Sequence, residues 1–314
     1  MTAYLIRRTL QSIATLFIVS IITFGLLHLM PNGVVRGMLG QKATPQQITY
    51  LTHKLGLDQH LWTQYWIWLK KLLHGDLGTS YIRNQTVSDL IRETLGQSAY
   101  LVGLALLITI LLAVPIGVLQ ATRRNTATDY TITTLSFVGY AVPVFFIGPI
   151  LREIFQVKLH WIPTANQIDS FHSLLVQPEQ TVLPVLSLVI GLVAGYSRYM
   201  RSSMLDELTQ DYVRTATAKG ATKRRVLYKH VLRNAMIPMA TLVGLSLPGL
   251  VGGALLVEQI FNIQGMGLLT IQAAQQNDFV IVLGTTMLTA VVTVIGSLVA
   301  DISYAALDPR VRLT

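Results

Sequence analysis

Residues 98–122 read SAYLVGLALLITILLAVPIGVLQAT, without one charged side chain. A helix needs ~20 apolar residues to cross a bilayer, where its backbone must satisfy its own hydrogen bonds, and this stretch meets that length. Outward from it the same property recurs from Thr9 to about Met30, from Tyr130 to Leu151, from about Gln180 to Ser197, from Asn234 to Val257 and from Phe279 to Ala300. The expected fold class is therefore an all-α membrane protein with six transmembrane helices. No segment repeats another closely enough to indicate an internal duplication.

Composition agrees. The 314 residues are 52% hydrophobic and 12% charged, whereas soluble domains hold roughly 25% charged residues. A net charge of +9 would suit nucleic acid if the bases lined a soluble surface. Here they punctuate apolar runs, so the expected partner is the lipid bilayer and no nucleic acid. The chain has no Cys, which removes disulfides, thiol nucleophiles and thiolate metal sites and leaves the redox compartment open. Its seven His show no metal-ligand spacing.

Lys and Arg in short loops stay cytoplasmic. Arg7 and Arg8 precede the first span, Arg123 and Arg124 follow the second, and Arg310 and Arg312 follow the sixth. The connection from Arg198 to Arg233 carries nine bases against three acids. These regions alternate onto one side, so both termini are expected to be cytoplasmic. The connection Glu258 to Asp278 has no base, and the one after the third span has Arg152 and Lys158. The long Pro31–Gln97 connection holds seven bases but exceeds the length over which the rule applies. Arg7 and Arg8 before an apolar run imitate a twin-arginine export signal; the run is too long and lacks a small-residue cleavage pattern.

Between the spans, Thr44 and Pro45 make an N-cap and first-turn pair, and Gly56 suits the end of a short helix over about 45–55. Leu61 to Leu73 gathers Trp62, Tyr65, Trp66 and Trp68 beside Lys70 and Lys71, the composition of a helix at headgroup level or of an aromatic face packed on protein. Pro115, Pro143, Pro149, Pro184 and Pro248 fall in or near spans, where proline bends helices but is also ordinary. Gly244, Gly249, Gly252 and Gly253 suit close helix packing. Ionisable residues are nearly absent from the spans. Asp301 and Glu258 fall at span ends, where water is expected to reach both, and no chain of carboxylates or His is present to relay protons. His28 lies near the outer end of the first span without an obvious partner.

The most informative polar stretch is Arg198–Pro238. Asp206, Glu207 and Asp211 fall early, which suits a helix N-terminus. Tyr212, Thr215, Ala216 and Lys219 share one face, small side chains surround them, and Gly220 supplies a left-handed cap. Thr222 can cap a second helix carrying Val226, Leu227, Val231 and Leu232. Its first turn then holds Lys223, Arg224 and Arg225, against the helix dipole. Anionic headgroups, membrane topology or a partner protein would each account for that cluster.

The run Asp211-Tyr-Val-Arg-Thr-Ala-Thr-Ala-Lys-Gly220, continued by His230-Val-Leu-Arg-Asn-Ala235 and Ile237-Pro238, resembles the cytoplasmic signature loop of ATP-binding-cassette (ABC) importer permeases. Arg-Thr-Ala in place of Glu-Ala-Ala resembles the oligopeptide and dipeptide branch. Leu55-Gly56-Leu57-Asp58, Gly75-Asp76-Leu77-Gly78, Glu258 to Phe261 with Gly265 and Gly267, and Asp308-Pro309-Arg310 agree with that branch, so the resemblance covers nearly the whole chain. Two places depart from it: Pro31-Asn32-Gly33-Val34 stands for the usual Pro-Gly-Asp-Pro, and Gln264 for a proline.

The resemblance implies a type I ABC importer permease in a prokaryotic cell membrane, forming half of a pathway with a second homologous permease subunit. It also implies two ATPase subunits and an extracytoplasmic solute-binding protein as partners. Residues 1–98 would be the first helix plus a long outer region, and 99–314 a five-helix core with its coupling loop at about 198–233. ATPase coupling would fall to Asp211, Tyr212, Arg214, Thr215, Ala216, Ala218, Lys219, Gly220 and Ala221. No cofactor or metal is expected in this chain, which has no phosphate loop and no catalytic constellation; ATP and Mg would sit on the partner ATPases. The family carries di- or oligopeptides, with nickel, glutathione and sugars as alternatives. Outside the family, a stand-alone secondary transporter or channel is the alternative, though it has no evident need for a long polar helix pair around Gly220. An intramembrane enzyme would require a buried Ser–His pair, paired carboxylates or metal ligands.

Overall fold

The computed structural model describes residues 2–28, 35, 39, 43–80, 82–163 and 170–307. Pro31–Val34, Asp308–Arg310 and Arg312, used above for topology and resemblance, lie outside them. The described residues are mostly helical. Helix α1 covers Thr2–His28. Helix α2 covers Pro45–Leu55, opened by a capping box in which Thr44 and Gln47 exchange hydrogen bonds and closed by Gly56 at φ +67°, as the local sequence predicts. Helix α3 (Leu61–Leu73) leads to a two-residue-per-strand hairpin, β1 (Thr79–Ser80) with β2 (Gln85–Thr86). Helix α4 runs over Val87–Thr122, with Thr86 accepting from the Asp89 N–H at its start.

Helix α5 (Ala127–Ala141) and helix α6 (Val144–Arg152, continued by a π turn to Lys158) occupy the stretch expected as the third span. They meet at 95°. Pro143 has no N–H to extend α5 and holds Val142 extended, so the helix ends and restarts there. The described residues therefore hold 5 helices that can cross a membrane singly, or 6 spans with the bent pair as one. After α7 (Phe171–Val176) come α8 (Glu179–Leu208), α9 (Asp211–Ala218) and α10 (Lys223–Gly252), whose early Val226–Val231 is a π turn. Helices α11 (Leu255–Ile260), α12 (Met266–Gln275) and α13 (Phe279–Leu307) follow.

The core is built on α4 lying along α8 and on α10 antiparallel to α13. Lipid tails are as apolar as leucine, so close van der Waals approach holds such helices together. A Cβ at Gly117 would lie 2.5 Å from the Met200 Cβ, and one at Gly244 would lie 2.7 Å from the Ala300 Cβ. These glycines set the α4–α8 and α10–α13 spacings. Around the first contact Leu106, Val118, Tyr196, Met200, Met204, Val231 and Met239 form one buried cluster; toward the other end Leu101, Leu183, Val189, Val257 and Ile263 form a second.

Ion pairs mark one end of the bundle. Arg8 meets Asp301 at 2.6 Å, with both side chains partly exposed. Arg201 on α8 grips Asp129 on α5 through two bonds of 2.8 Å, and the Asp129 side chain is 3% exposed. Removing Arg201 would leave that carboxylate buried without its counter-charge, a loss of about 3–5 kcal/mol. Arg201→Ala is thus expected to lower the thermal midpoint of the purified chain far more than Arg124→Ala at an exposed position. Equal midpoints would contradict this role.

At the opposite end α3 packs on α1. The Tyr65 hydroxyl meets Ser20 at 2.8 Å and the ring sits among Phe17, Phe24 and Trp68. His28 is hydrogen-bonded to Gln64 at 3.0 Å, a partner the sequence did not reveal. Trp62 and Trp66 are exposed, so the aromatic segment packs Tyr65 inward on protein and leaves two tryptophans outward. The hairpin is tied to the α12–α13 turn by Ser80 donating to Asp278, both buried, and by Arg83 donating to Gln272 at 3.0 Å.

Candidate functional site

Helix α8 carries the chain beyond the apolar stretch, and Asp206 and Glu207 lie in its last turn. They do not start the next helix, as their charge suggested; of the three acids only Asp211 sits in the first turn of α9. The Tyr212 hydroxyl donates back to Glu207 and fastens α9 to the end of α8. No residue of α9 is buried. The hydroxyls of Thr215 and Thr217 donate to the carbonyls of Asp211 and Val213, at 3.0 and 2.9 Å, so they are satisfied within the helix.

Gly220 ends α9 at φ +80°. Its N–H donates to the Thr217 carbonyl at 2.9 Å and the Ala221 N–H to the Ala216 carbonyl at 3.1 Å, the two bonds of a Schellman cap. Thr222 caps the following helix by accepting from the Arg225 N–H at 3.3 Å, and Lys223, Arg224 and Arg225 fill its exposed first turn as expected. Buried Val226 and Val231 then anchor this unit in the α4–α8 cluster. An exposed polar helix thus rides on a packed core.

Tyr212, Thr215, Ala216, Lys219, Gly220 and Ala221 line one open recess of ≈ 530 Å³ with Arg225 and His230. Asp211, Arg214 and Ala218 lie on the same helix outside that recess, Arg214 meeting Asp211 at 3.8 Å in the open. The recess carries the basic groups of Lys219 and Arg225 and presents small side chains. It suits a protein surface that brings its own acids or carbonyls.

A second constellation was missed by sequence reasoning. Glu258, expected at a watered span end, is fully buried. One carboxyl oxygen accepts from the Ser98 hydroxyl at 2.6 Å and the Ala254 N–H at 3.1 Å, the other from the Leu268 N–H at 2.8 Å. Ser98 in turn accepts from the Met266 N–H at 2.8 Å. The group therefore caps the N-terminus of α12 and joins it to α11 and α4. A Cβ at Gly265 would lie 2.3 Å from the Glu258 carboxyl carbon, and one at Gly267 would lie 2.8 Å from the Leu255 backbone. The spacing of Glu258, Gly265 and Gly267 carried the signal; the partners, mostly backbone groups, did not. Among the described residues no group of His, Asp or Glu is arranged to hold a metal.

Comparison with known proteins accords with this architecture. The family described as binding-protein-dependent transport system inner membrane component matches residues 113–313, and its N-terminal companion matches 1–102. The chain is 39% identical to the oligopeptide transport system permease protein AppB of Bacillus subtilis, covering 99% of this chain and 100% of that protein. It is 37% identical to a putative peptide permease protein of Brucella ovis over 100% of both chains. It is 35% identical to the glutathione transport system permease protein GsiC of Salmonella typhimurium over 99% of both.

Proposed function

We propose, for a chain that belongs to the binding-protein-dependent transport system inner membrane components, that it is the permease subunit of an ABC importer for di- or oligopeptides. The peptide assignment is supported by the names of two near full-length relatives, and glutathione, itself a peptide, lies within it. The chain sits in the cell membrane with the Arg8, Arg123 and Arg201 end toward the cytoplasm. It forms half of the pathway with a second permease. Two ATPase subunits bind at the cytoplasmic face, where ATP and Mg belong, and a solute-binding protein docks outside.

The observation that carries this reading is the α9–Gly220 unit, which has no buried residue and yet is anchored through Val226 and Val231 to the α4–α8 core. A partner that closes on α9 moves the packed helices with it, because dense cores transmit displacement. Coupling falls to Asp211, Tyr212, Arg214, Thr215, Ala216, Ala218, Lys219, Gly220 and Ala221.

Affinity purification from the native membrane in mild detergent tests the assembly. The expected result is co-purification of a second permease and of ATPases whose hydrolysis rises with peptide-loaded binding protein. Recovery of a lone chain under several gentle conditions would instead favour a stand-alone secondary transporter.

A further inference from the structure

Arg198 closes no ion pair among the described residues. The nearest acid on the facing helix, Asp129, is taken by Arg201, and Glu153 faces Lys158. The Arg198 guanidinium lies over the rings of Phe137 and Tyr140, its carbon 4.4 and 5.6 Å from their centroids. Stacking occupies the face of the guanidinium and leaves its in-plane N–H fork open, the geometry that receives a carboxylate in two parallel bonds.

Its depth makes this unusual. Helices α5 and α8 run antiparallel, with Asp129 opposite Arg201 and Gly139 opposite Ala194. In that register, with side chains tilted toward their own helix N-termini, the Arg198 head lies ~8–10 Å inside the Asp129 layer. The chain reaches inward to Phe137 and Tyr140 and does not snorkel toward the basic end. Phe137 and Tyr140 are themselves exposed on this chain. An unpaired cation at such a position is strongly disfavoured against acyl chains and belongs on a water-filled path or opposite a negative group.

We propose that Arg198, stacked on Phe137 and Tyr140 inside the span, lines the translocation pathway and takes the C-terminal carboxylate of the passing peptide. This rests on the peptide-importer reading. It makes Arg198 a substrate-contact residue that the charge-free definition of the span had placed in a loop.

The test uses the complete importer, with both permeases, its ATPases and its binding protein, in liposomes. Uptake of a tripeptide is compared with uptake of the same tripeptide as its C-terminal amide, for the wild type, Arg198→Gln and Arg198→Lys. With one binding protein throughout, any change in the acid-to-amide ratio arises after delivery. Arg198→Gln is expected to lower uptake of the acid about tenfold or more, the scale of one charge-assisted pair, and to leave the amide within about twofold. Arg198→Lys, which keeps the charge without the fork, should fall between. Intact assembly and basal ATPase activity certify folding.

An unchanged acid-to-amide ratio in both variants overturns the proposal. So does loss of the second permease from the Arg198→Gln complex, which would place the side chain at the subunit interface, or a defect that tracks phosphatidylglycerol content, which would place it on lipid. If the wild type imports neither peptide form while glucose or nickel is imported, the peptide reading fails and this assignment falls with it.

Discussion

Gly220→Asp is expected to abolish uptake and peptide-stimulated ATPase activity while the chain still inserts, folds and melts normally. A Cβ at Gly220 meets nothing within 4 Å, so the substitution creates no clash inside the chain. The backbone demand is the left-handed conformation at φ +80°, which Asp and Asn tolerate better than other L-residues. The new carboxylate instead stands at the lip of the recess formed by Tyr212, Thr215, Ala216 and Lys219, where the ATPase contact is proposed. An unmatched charge in such a contact costs several kcal/mol, roughly a hundredfold or more in affinity. Gly220→Asn keeps the same backbone preference without the charge and should retain much of the activity. The measurement is uptake beside ATPase co-purification for both variants. Normal uptake by Gly220→Asp would remove the coupling role from this loop.

Glu258→Ala should fail at an earlier stage, as loss of folded protein. The substitution strands the Ser98 hydroxyl and the Ala254 and Leu268 N–H groups in a site closed to water. At about 1–3 kcal/mol for each unsatisfied buried donor, the loss is on the order of 5 kcal/mol, comparable to the whole stability of many domains. Gly265→Ala should do similar damage, because its Cβ would lie 2.3 Å from the Glu258 carboxyl carbon. Glu258→Gln keeps one acceptor oxygen and sets an amide against a donor at the other, so it should be intermediate. Thermal melting and the monodisperse fraction in detergent check the series. An unaltered midpoint for Glu258→Ala would show that the carboxyl group is not the clasp described above.

Much of the fold could be read from apolar length alone, and the reasons for the exceptions are specific. A search for charge-free runs detects only the lipid-facing part of a helix, so α4 starts at Val87 and α8 continues to Leu208, both beyond the stretch it found. The same criterion stopped the fourth span before Arg198, although the helix carries that cation onward and turns it inward over Phe137. The right-angle break after Ala141 was invisible because proline is ordinary in membrane helices, and only the structure distinguishes Pro143 from Pro115, which α4 accommodates. Glu258 looked watered because its partners are a serine 160 positions away and backbone N–H groups brought close by glycines. By contrast, the Thr44 N-cap, the Gly56 cap and the Gly220 cap are local chemistry, and each forms where the sequence places it.

The chain contains no Cys, which makes the most direct test of the central claim a simple one. A single cysteine placed at Thr215, on the recess side of α9, and a second variant with the cysteine at exposed Trp62 at the opposite end of the bundle, are each treated with a short thiol-reactive crosslinker in intact membranes. The expected result is a crosslink from Thr215→Cys to an ATPase subunit, with a yield that changes when ATP is added, and none to the ATPase from Trp62→Cys. Absence of any ATPase adduct from Thr215→Cys, in membranes where the complex is assembled and active, would contradict the assignment of α9 and Gly220 as the coupling element.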